Sequence, residues 1–227
     1  MKIYRFLHNG RIAESSDAPD GATLLPPVTP TKIVCVGRNY ADHAKELGNE
    51  PPSEPILFLK PPSALLAPDG TIVRPTASQL VHHEAELAIV VGREAKNVSE
   101  RDWRGYVRGF ACANDVTARD LQRKDVQFTR GKSFDTFCPI GPCIDTDVDP
   151  SDLRVVARVN GEVRQDGRTS QMIFSCSALF AFVTAIMTLV PGDVILTGTP
   201  AGVGSLESGD VVEVEIEGIG VLRNHVA

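Results

Sequence analysis

The sequence predicts a sheet-rich α+β fold with few, short helices. Its 19 glycines and 16 prolines are spread along the 227 residues and separate short apolar segments. Two Asn-Gly pairs, Asn9-Gly10 and Asn160-Gly161, each lie between apolar runs. Asn-Gly favours a type I′ hairpin turn because both of its residues accept a positive φ. In the segment 212–217, valine and isoleucine alternate with glutamate, which is the pattern of a strand with one face toward solvent.

The chain begins with one of these hairpins and continues as a single larger domain. Ile3 to Leu7 forms its first predicted strand, and the second strand follows Asn9-Gly10. The pair Pro26-Pro27 then interrupts regular structure. We therefore expect a small N-terminal hairpin segment at residues 1–28 and one domain at residues 29–227.

Four helices are predicted, mainly from their capping residues. They are Asp42 to Leu47, closed by Gly48; a short helix capped by Ser99, with Asp102 three residues on; a helix opened by Thr117, with Asp120; and Ser177 to Leu189. The last is the longest, and it lies in an uncharged segment interrupted by serines and threonines. This segment predicts a buried helix and not a membrane span. Proline-rich stretches flank the segment 39–47 on both sides, so we predict that this segment moves as a lid.

Composition excludes several classes of function. The chain has 23 basic and 29 acidic residues and a net charge of −6, so it offers no basic field for a nucleic acid. Walker A, dinucleotide-binding, Gly-x-Ser-x-Gly and His-Glu-x-x-His motifs are absent. The five cysteines contain no Cys-x-x-Cys pair, which argues against a disulfide framework and a structural zinc site. Residues 1–11 lack the pattern of a secretory signal, so we expect a cytoplasmic protein without a membrane partner.

Three carboxylates are candidates for a metal site. Glu84 and Glu86 lie two residues apart at the start of an apolar strand predicted over 82–92, and Asp115 ends another apolar run. Like charges at such positions require a cation. An oxygen-only set without cysteine favours Mg²⁺ or Mn²⁺, while His82 and His83 leave zinc as an alternative. The other interpretation is that Glu84 and Glu86 lie at a solvated strand end and that Asp115 is the N-cap of a helix.

Two pairs at helical spacing carry further polar chemistry. His43 and Glu46 lie at i and i+3, where a carboxylate can orient an imidazole that acts as a base. Arg119 and Gln122 have the same spacing and would offer a guanidinium and an amide to a carboxylate. Lys132 would hold developing negative charge if it lay near a metal. Each of these is also compatible with an ordinary surface position, and the glycine-rich segment 197–204 is compatible with either a turn or an anion site.

Together, the ordered motifs of the chain resemble the fumarylacetoacetate hydrolase family. The motifs are Val36-Gly37-Arg38-Asn39-Tyr40 with His43 and Glu46, Phe58-Leu59-Lys60-Pro61, His83-Glu84-Ala85-Glu86-Leu87, Asn114-Asp115-Val116-Thr117-Ala118-Arg119-Asp120, Lys132-Ser133-Phe134-Asp135, Gln171-Met172-Ile173-Phe174-Ser175 and Thr197-Gly198-Thr199-Pro200-Ala201-Gly202-Val203-Gly204. The resemblance implies a mixed β-roll or β-sandwich of the family's C-terminal domain type, with residues 29–227 as the catalytic domain, and a homodimer.

The resemblance also assigns roles to the candidate residues. Metal ligands for Mg²⁺ or Mn²⁺ would be Glu84, Glu86 and Asp115; catalytic residues would be His43, Glu46 and Lys132; substrate-binding residues would be Arg38, Arg119, Gln122 and Thr199. The implied substrate is a small 2-oxo acid whose chelation by the metal stabilises an enolate.

The reaction expected first is metal-dependent C–C bond hydrolysis of a 2,4-diketo acid of the acylpyruvate or fumarylpyruvate type, which releases pyruvate. The alternatives are decarboxylation of oxaloacetate, and isomerisation of 2-hydroxyhepta-2,4-diene-1,7-dioate or decarboxylation of 5-oxopent-3-ene-1,2,5-tricarboxylate. A non-catalytic, metal-stabilised binding protein is the remaining alternative. It would keep its affinity for a ligand after substitution of His43 or Glu46 and would have no activity to lose.

Overall fold

The computed structural model describes residues 1–227 and confirms a sheet-rich fold with few, short helices. The strands are β1 (Lys2–His8), β2 (Arg11–Ser15), β3 (Thr23–Leu24), β4 (Ile33–Gly37), β5 (Ile56–Lys60), β6 (Leu65–Leu66), β7 (Thr71–Ile72), β8 (Val81–His83), β9 (Ala85–Val91), β10 (Val107–Asn114), β11 (Thr117–Ala118), β12 (Cys138–Asp145), β13 (Arg154–Val159), β14 (Glu162–Arg168), β15 (Val194–Leu196), β16 (Gly204–Ser205), β17 (Val211–Ile216) and β18 (Gly220–Val226). The helices are α1 (Ala41–Glu46), α2 (Arg119–Lys124), α3 (Thr129–Lys132) and α4 (Cys176–Ile186). Short 3₁₀ helices occupy Pro62–Ala64, Trp103–Tyr106, Pro150–Asp152 and Thr169–Gln171.

Three sheets build the molecule. The largest has ten strands in the order β2-β1-β12-β10-β9-β15-β4-β5, with β3 beside β1 and β6 beside β12. A five-stranded sheet has the order β14-β13-β17-β18-β7, and a three-stranded sheet has the order β11-β8-β16. Most pairs are antiparallel, while β15 with β4, β12 with β6 and β18 with β7 are parallel.

Strand β9 runs through the centre of the large sheet and is buried on both faces. Leu87 and Ile89 belong to the main core of 24 buried residues, which strands of the five-stranded sheet and helix α4 complete. Ala88 and Val90, on the opposite face of β9, belong to a second apolar cluster of 13 buried residues. Because successive strand residues alternate faces, a fully apolar run is what a strand packed on both sides requires.

Both predicted hairpins and the alternating strand are confirmed. Asn9-Gly10 joins β1 to β2 and Asn160-Gly161 joins β13 to β14, and all four residues have positive φ. In β17 the valines and the isoleucine at even positions are buried, and the intervening positions are partly exposed. The N-terminal hairpin also pairs with the main sheet, since Lys2 and Ile3 of β1 lie opposite Asp145 and Ile144 of β12, respectively.

The helix predictions are partly wrong. Helix α1 and helix α4 lie close to their predicted positions, with Ser175 capping α4 by accepting a hydrogen bond from the Ala178 N–H. No helix begins at Ser99; a turn there precedes the 3₁₀ helix Trp103–Tyr106. Thr117 does not cap α2, because it belongs to β11 and its hydroxyl donates to the Asp115 carbonyl. Pairing with β8 therefore overrides the local capping signal.

The strand predicted over 82–92 is two strands in two sheets. The chain leaves the three-stranded sheet after His83 and enters the large sheet at Ala85, so Glu84 lies at the crossing. The Glu84 N–H donates to Asn114 Oδ1, a side-chain partner that replaces the missing ladder bond. Among the helices of this structure, none combines the length and the hydropathy that a bilayer crossing requires.

Candidate active site

The three candidate carboxylates meet where β9 and β10 adjoin. Glu86 lies in β9 opposite Ala113 of β10, and Asp115 directly follows β10. The Asp115 N–H donates to the Glu84 carbonyl at 2.9 Å, which continues the antiparallel pairing past the strand end. As a result, carboxylate oxygens of Glu84, Glu86 and Asp115 lie within 4.8 Å of one another, and all three residues are buried.

Three buried cations pair with two of these carboxylates, Glu84 and Asp115. Lys132 Nζ donates to Glu84 Oε2 at 2.7 Å and to Asp115 Oδ2 at 2.6 Å. Lys60 Nζ donates to Asp115 Oδ1 at 2.6 Å, and the Arg119 guanidinium donates to the remaining oxygen of Glu84. Buried charges are stable in a protein interior when they are paired and hydrogen-bonded in this way.

Burial and pairing act in opposite directions on these groups. Burial raises the pKa of Glu84, but Lys132 and Arg119 outweigh it and hold that pKa well below its ordinary value. Burial likewise lowers the pKa of Lys132, while Asp115 and Glu84 raise it above its ordinary value. Both groups are therefore charged at neutral pH, and the lysine keeps a full positive charge inside the site.

Glu86 differs from the other two carboxylates because no cation contacts it. Its Oε2 accepts a hydrogen bond from the Gly198 N–H at 2.7 Å. Burial, and then repulsion from Asp115 and Glu84, raise the pKa of Glu86 well above its ordinary value. A divalent cation among the three carboxylates would remove this repulsion, and three carboxylate oxygens are ligands typical of Mg²⁺ or Mn²⁺. The residues present therefore fit such an ion.

Histidine and cysteine take no part in this cluster. His83 is buried, and its Nδ1 lies 3.0 Å from Gln165 Oε1. Burial, with a smaller contribution from Arg119, lowers the pKa of His82 to about 4. All five cysteines are buried free thiols. The zinc alternative depended on His82 and His83, and neither histidine belongs to the cluster.

The predicted His–Glu pair is formed on α1. His43 Nδ1 lies 3.0 Å from Glu46 Oε2, and His43 is buried whereas the Glu46 side chain is 31% exposed. The second oxygen of Glu46 accepts a hydrogen bond from the Gly202 N–H at 3.0 Å. A carboxylate at Nδ1 holds the proton on that nitrogen and leaves Nε2 as the basic atom.

One cavity of about 230 Å³ brings the predicted residues together. Of the predicted site residues, His43, Lys132, Arg38, Arg119, Gln122, Thr199, Glu84, Glu86 and Asp115 line it. Glu46 does not line it and contacts it through His43. Arg119 and Gln122 lie on the same side of α2, as their spacing predicted, and Arg119 Nη1 donates to Gln122 Oε1 at 2.6 Å.

The glycine-rich segment 197–204 forms part of the site wall through its backbone. Its amides at Gly198 and Gly202 donate to Glu86 and Glu46, so they bind carboxylates of the protein itself. The Thr199 hydroxyl donates to the Ala85 carbonyl at 2.8 Å. This segment therefore connects the acidic cluster to helix α1.

Three further residues of the site were not singled out as candidates. Lys60 ends β5 and reaches Asp115; a lone lysine after the apolar run 56–59 was the available signal. Gln165 of β14 is fully buried, and its Nε2 donates to Thr199 Oγ1 at 2.7 Å. Arg123 lines the cavity from the last turn of α2. Gln165 and Arg123 carry no local signal, because their positions depend on how distant elements pack.

Comparison with known proteins identifies the family. The model of the family described as "Fumarylacetoacetate (FAA) hydrolase C-terminal" matches residues 32–227, which is most of the chain. The chain belongs to the fumarylacetoacetate hydrolase family. It is therefore an enzyme of this family, and its fold agrees with the solved structures of other members.

Two solved structures and one relative illustrate the similarity. A 5-carboxymethyl-2-hydroxymuconate delta-isomerase from Mycobacterium smegmatis is 43% identical with a TM-score of 0.92, and the match covers 100% of this chain and 98% of that one. A 2-hydroxyhepta-2,4-diene-1,7-dioate isomerase from Mycobacterium marinum is 41% identical with a TM-score of 0.92 and the same coverage. The human mitochondrial oxaloacetate tautomerase FAHD2A is 48% identical over 217 residues, which are 90% of this chain and 69% of the human protein.

Proposed function

We propose that this member of the fumarylacetoacetate hydrolase family catalyses keto–enol tautomerisation of a small 2-oxo dicarboxylate such as oxaloacetate. The observation that carries the proposal is the placement of a histidine base and a charged lysine in one cavity with a buried acidic cluster. Similar proteins named as isomerases and as an oxaloacetate tautomerase support this reaction over the hydrolysis expected first.

Glu84, Glu86 and Asp115 would hold a divalent cation. When bound, that cation supplies Lewis-acid stabilisation of the negative charge that develops on a chelated 2-oxo acid. Every other step is assigned to side chains of this chain that line or adjoin the cavity.

His43 acts as the base. Its Nε2 removes a proton from C3 of the keto form, the C–H electron pair becomes the C2–C3 double bond, and the carbonyl electrons move to the oxygen on C2. Return of the proton to that oxygen yields the enol, so no atom is gained or lost. Glu46, at 3.0 Å from Nδ1, stabilises the imidazolium while it carries the proton.

Lys132 stabilises the oxygen that becomes negative. Two of its three N–H groups donate to Glu84 and Asp115, which leaves one donor for the substrate. Because the raised pKa keeps Lys132 charged, this donor carries a full positive charge in a buried site. Arg119 and Gln122 line the same cavity and provide donors for the 2-oxo acid carboxylate.

Hydrolysis of an acylpyruvate is the second candidate, because the same histidine can deprotonate water. The two reactions are separated by measuring the decay of enol absorbance and the release of pyruvate in parallel. The substrates are oxaloacetate, acetylpyruvate and fumarylpyruvate, each with Mg²⁺, Mn²⁺ or EDTA, for wild type and His43→Ala.

The proposal predicts metal-dependent equilibration of the oxaloacetate enol, faster than pyruvate release from any substrate and lost in His43→Ala. If pyruvate release from a diketo acid were faster than enol equilibration, the hydrolase would replace the proposed tautomerase. Pyruvate formation from oxaloacetate as fast as enol decay would indicate decarboxylation. Enol decay no faster than with the metal ion alone would refute a tautomerase.

A further inference from the structure

The side chain of Gln165 uses both ends of its amide in a fully buried position. Its Oε1 accepts a hydrogen bond from the Ala85 N–H at 2.9 Å and lies 3.0 Å from His83 Nδ1. Its Nε2 donates to Thr199 Oγ1 and to the Pro200 carbonyl, each at 2.7 Å. One side chain of β14 therefore joins the crossing between β8 and β9 to the glycine-rich segment.

The orientation of this amide is fixed by its backbone partners. An N–H group can only donate and a carbonyl oxygen can only accept, so Oε1 must face Ala85 and the NH₂ group must face Pro200. Thr199 Oγ1 accepts from Gln165 and donates its own proton to the Ala85 carbonyl at 2.8 Å. These bonds form a closed ring through Gln165, Ala85 and Thr199, which holds the segment 197–204 against the start of β9.

Strand β14 also approaches the glycine-rich segment closely through its backbone. The pairing of β14 with β13 shifts by one residue at Arg164, which forms a bulge next to Gln165. A Cβ at Gly202 would clash with the Arg164 carbonyl oxygen, and a Cβ at Gly167 would lie 2.7 Å from the Pro200 Cβ. Because these two glycines have no side chain, the segment lies close enough for the Gln165 amide to reach it.

The segment that Gln165 holds binds two carboxylates of the site through its backbone. The Gly198 N–H donates to Glu86 Oε2 at 2.7 Å, and the Gly202 N–H donates to Glu46 Oε1 at 3.0 Å. These glycines lie on either side of the two residues that accept hydrogen bonds from Gln165. A displacement of those two residues would therefore move Glu86 in the acidic cluster relative to Glu46 beside the base.

We infer that Gln165 is a positioning residue: it fixes the glycine-rich segment and thereby sets the position of Glu86 relative to the His43–Glu46 pair. It does not line the cavity, so it acts on the reaction only through the groups that it holds. A displacement of about 1 Å far from the reacting atoms can lower a rate about 10²-fold. The inference rests on the proposed function for the reaction that these groups perform, and on the hydrogen bonds of Gln165 for the positioning itself.

The test compares Gln165→Met with the matched control Asn224→Leu. Methionine is similar in length to glutamine but lacks the amide, so it makes none of the hydrogen bonds of Gln165. Asn224, in β18, is also buried, its Nδ2 donates to two backbone carbonyls, and it does not line the cavity. Both substitutions leave buried backbone groups without a partner, so we expect both to lower Tm. Gln165→Asn is measured beside them and carries the test if Gln165→Met does not fold, because its shorter amide cannot span both segments.

Two measurements are made on the intact chain. Hydrogen exchange of the Gly198 and Gly202 amides, followed by NMR, reports how firmly the segment is held. Initial rates of enol decay from oxaloacetate with Mg²⁺ give kcat and KM. We expect both Gln165 variants to speed exchange at the two glycines by about 10-fold and to lower kcat by about 10-fold to 100-fold, with a smaller change in KM. Asn224→Leu should leave exchange and kcat within about twofold of wild type, as for a site that shares no partner with the segment.

Unchanged exchange at both glycines in the Gln165 variants would overturn the inference, as would a fall in kcat no larger than that in Asn224→Leu. The exchange measurement needs no substrate, so the positioning role and the proposed function can fail separately. A wild type without enol turnover refutes the proposed function, while faster exchange at both glycines still supports positioning by Gln165. Enol turnover by wild type with unchanged exchange in the variants refutes the positioning role alone.

Discussion

Replacing Glu46 with glutamine tests the proposed base directly. Glu46 accepts from both of its neighbours: Oε2 lies 3.0 Å from His43 Nδ1, and Oε1 accepts the Gly202 N–H at 3.0 Å. Glutamine has the same shape but only one acceptor oxygen, so it cannot reproduce both contacts.

The amide must therefore orient in one of two ways. Its oxygen can face the Gly202 N–H, which turns the NH₂ group toward His43 Nδ1. The imidazole then accepts at Nδ1 and carries its proton on Nε2, so the nitrogen assigned as the base is no longer basic. The opposite orientation places an NH₂ group against the Gly202 N–H, which breaks the contact between helix α1 and the glycine-rich segment.

The expected effect is a fall in kcat of about 10²- to 10⁴-fold, the usual contribution of general acid–base catalysis. KM should change little, because Glu46 does not line the cavity. Unfolding stability should fall by about 1 kcal/mol or less, since the Glu46 side chain is 31% exposed and its contacts are partly screened. The assay is the initial rate of enol decay with Mg²⁺, together with thermal unfolding.

Asp42→Asn is the matched control. Asp42 lies on the same helix and is 79% exposed, with its nearest cation, Lys45, at 3.7 Å. The substitution removes the same charge from α1 as Glu46→Gln does, at a residue that does not contact His43. A Glu46→Gln enzyme with kcat within about threefold of wild type would refute the role of the dyad, as would an equal loss in Asp42→Asn.

Three further predictions concern metal binding and stability. Mg²⁺ or Mn²⁺ at 100 times its Kd should stabilise the protein by about 2.7 kcal/mol, which raises Tm by roughly 5–10 °C. EDTA should reverse this shift, and Glu86→Gln should abolish it. No shift with either ion would contradict the metal site. Burial raises the pKa of Asp193, but hydrogen bonds from Lys32, Val190 and Thr31 outweigh it and lower the pKa below its ordinary value. The stabilisation that the ionised Asp193 provides is therefore present at pH values above its unfolded pKa of about 3.9 and is lost as pH falls through the lower folded value. Asp193→Asn should lower Tm by roughly 4–8 °C at pH 7 and by progressively less below pH of about 4. A Tm difference that stays constant with pH would refute this linkage. Leu179→Ala, in the core face of α4, should cost about 2–5 kcal/mol in urea unfolding, against a small effect of Ile186→Ala on its exposed face, and similar costs would contradict the packing described.

Local features of the fold could be read from the sequence because their causes are local. An Asn-Gly pair determines its own turn, and the alternation in 212–217 reports which face of β17 is buried. The break at Glu84 could not be predicted, since its neighbours on both sides favour strand. It arises because β8 pairs with β11 and β16 while β9 pairs with β10 and β15.

The same distinction holds in the site. A carboxylate at the start of an apolar run is conspicuous, so Glu84 and Glu86 could be nominated from the sequence, and the His43–Glu46 pair follows from helical spacing. Gln165 could not, because its contact with Thr199 joins residues 34 positions apart in the chain. The roles of all these residues, and the movement of α1 as a lid, stay predictions.

The three buried cations explain how Glu84 and Asp115 can be buried as charged groups. Lys60, Lys132 and Arg119 contact Glu84 and Asp115 through short hydrogen bonds, so each of these two buried carboxylates is paired with a cation. Two of these cations, Lys132 and Arg119, also line the cavity in which the proposed substrate would bind. The cations that permit burial of these carboxylates would therefore also provide the electrostatic stabilisation that the proposed reaction requires.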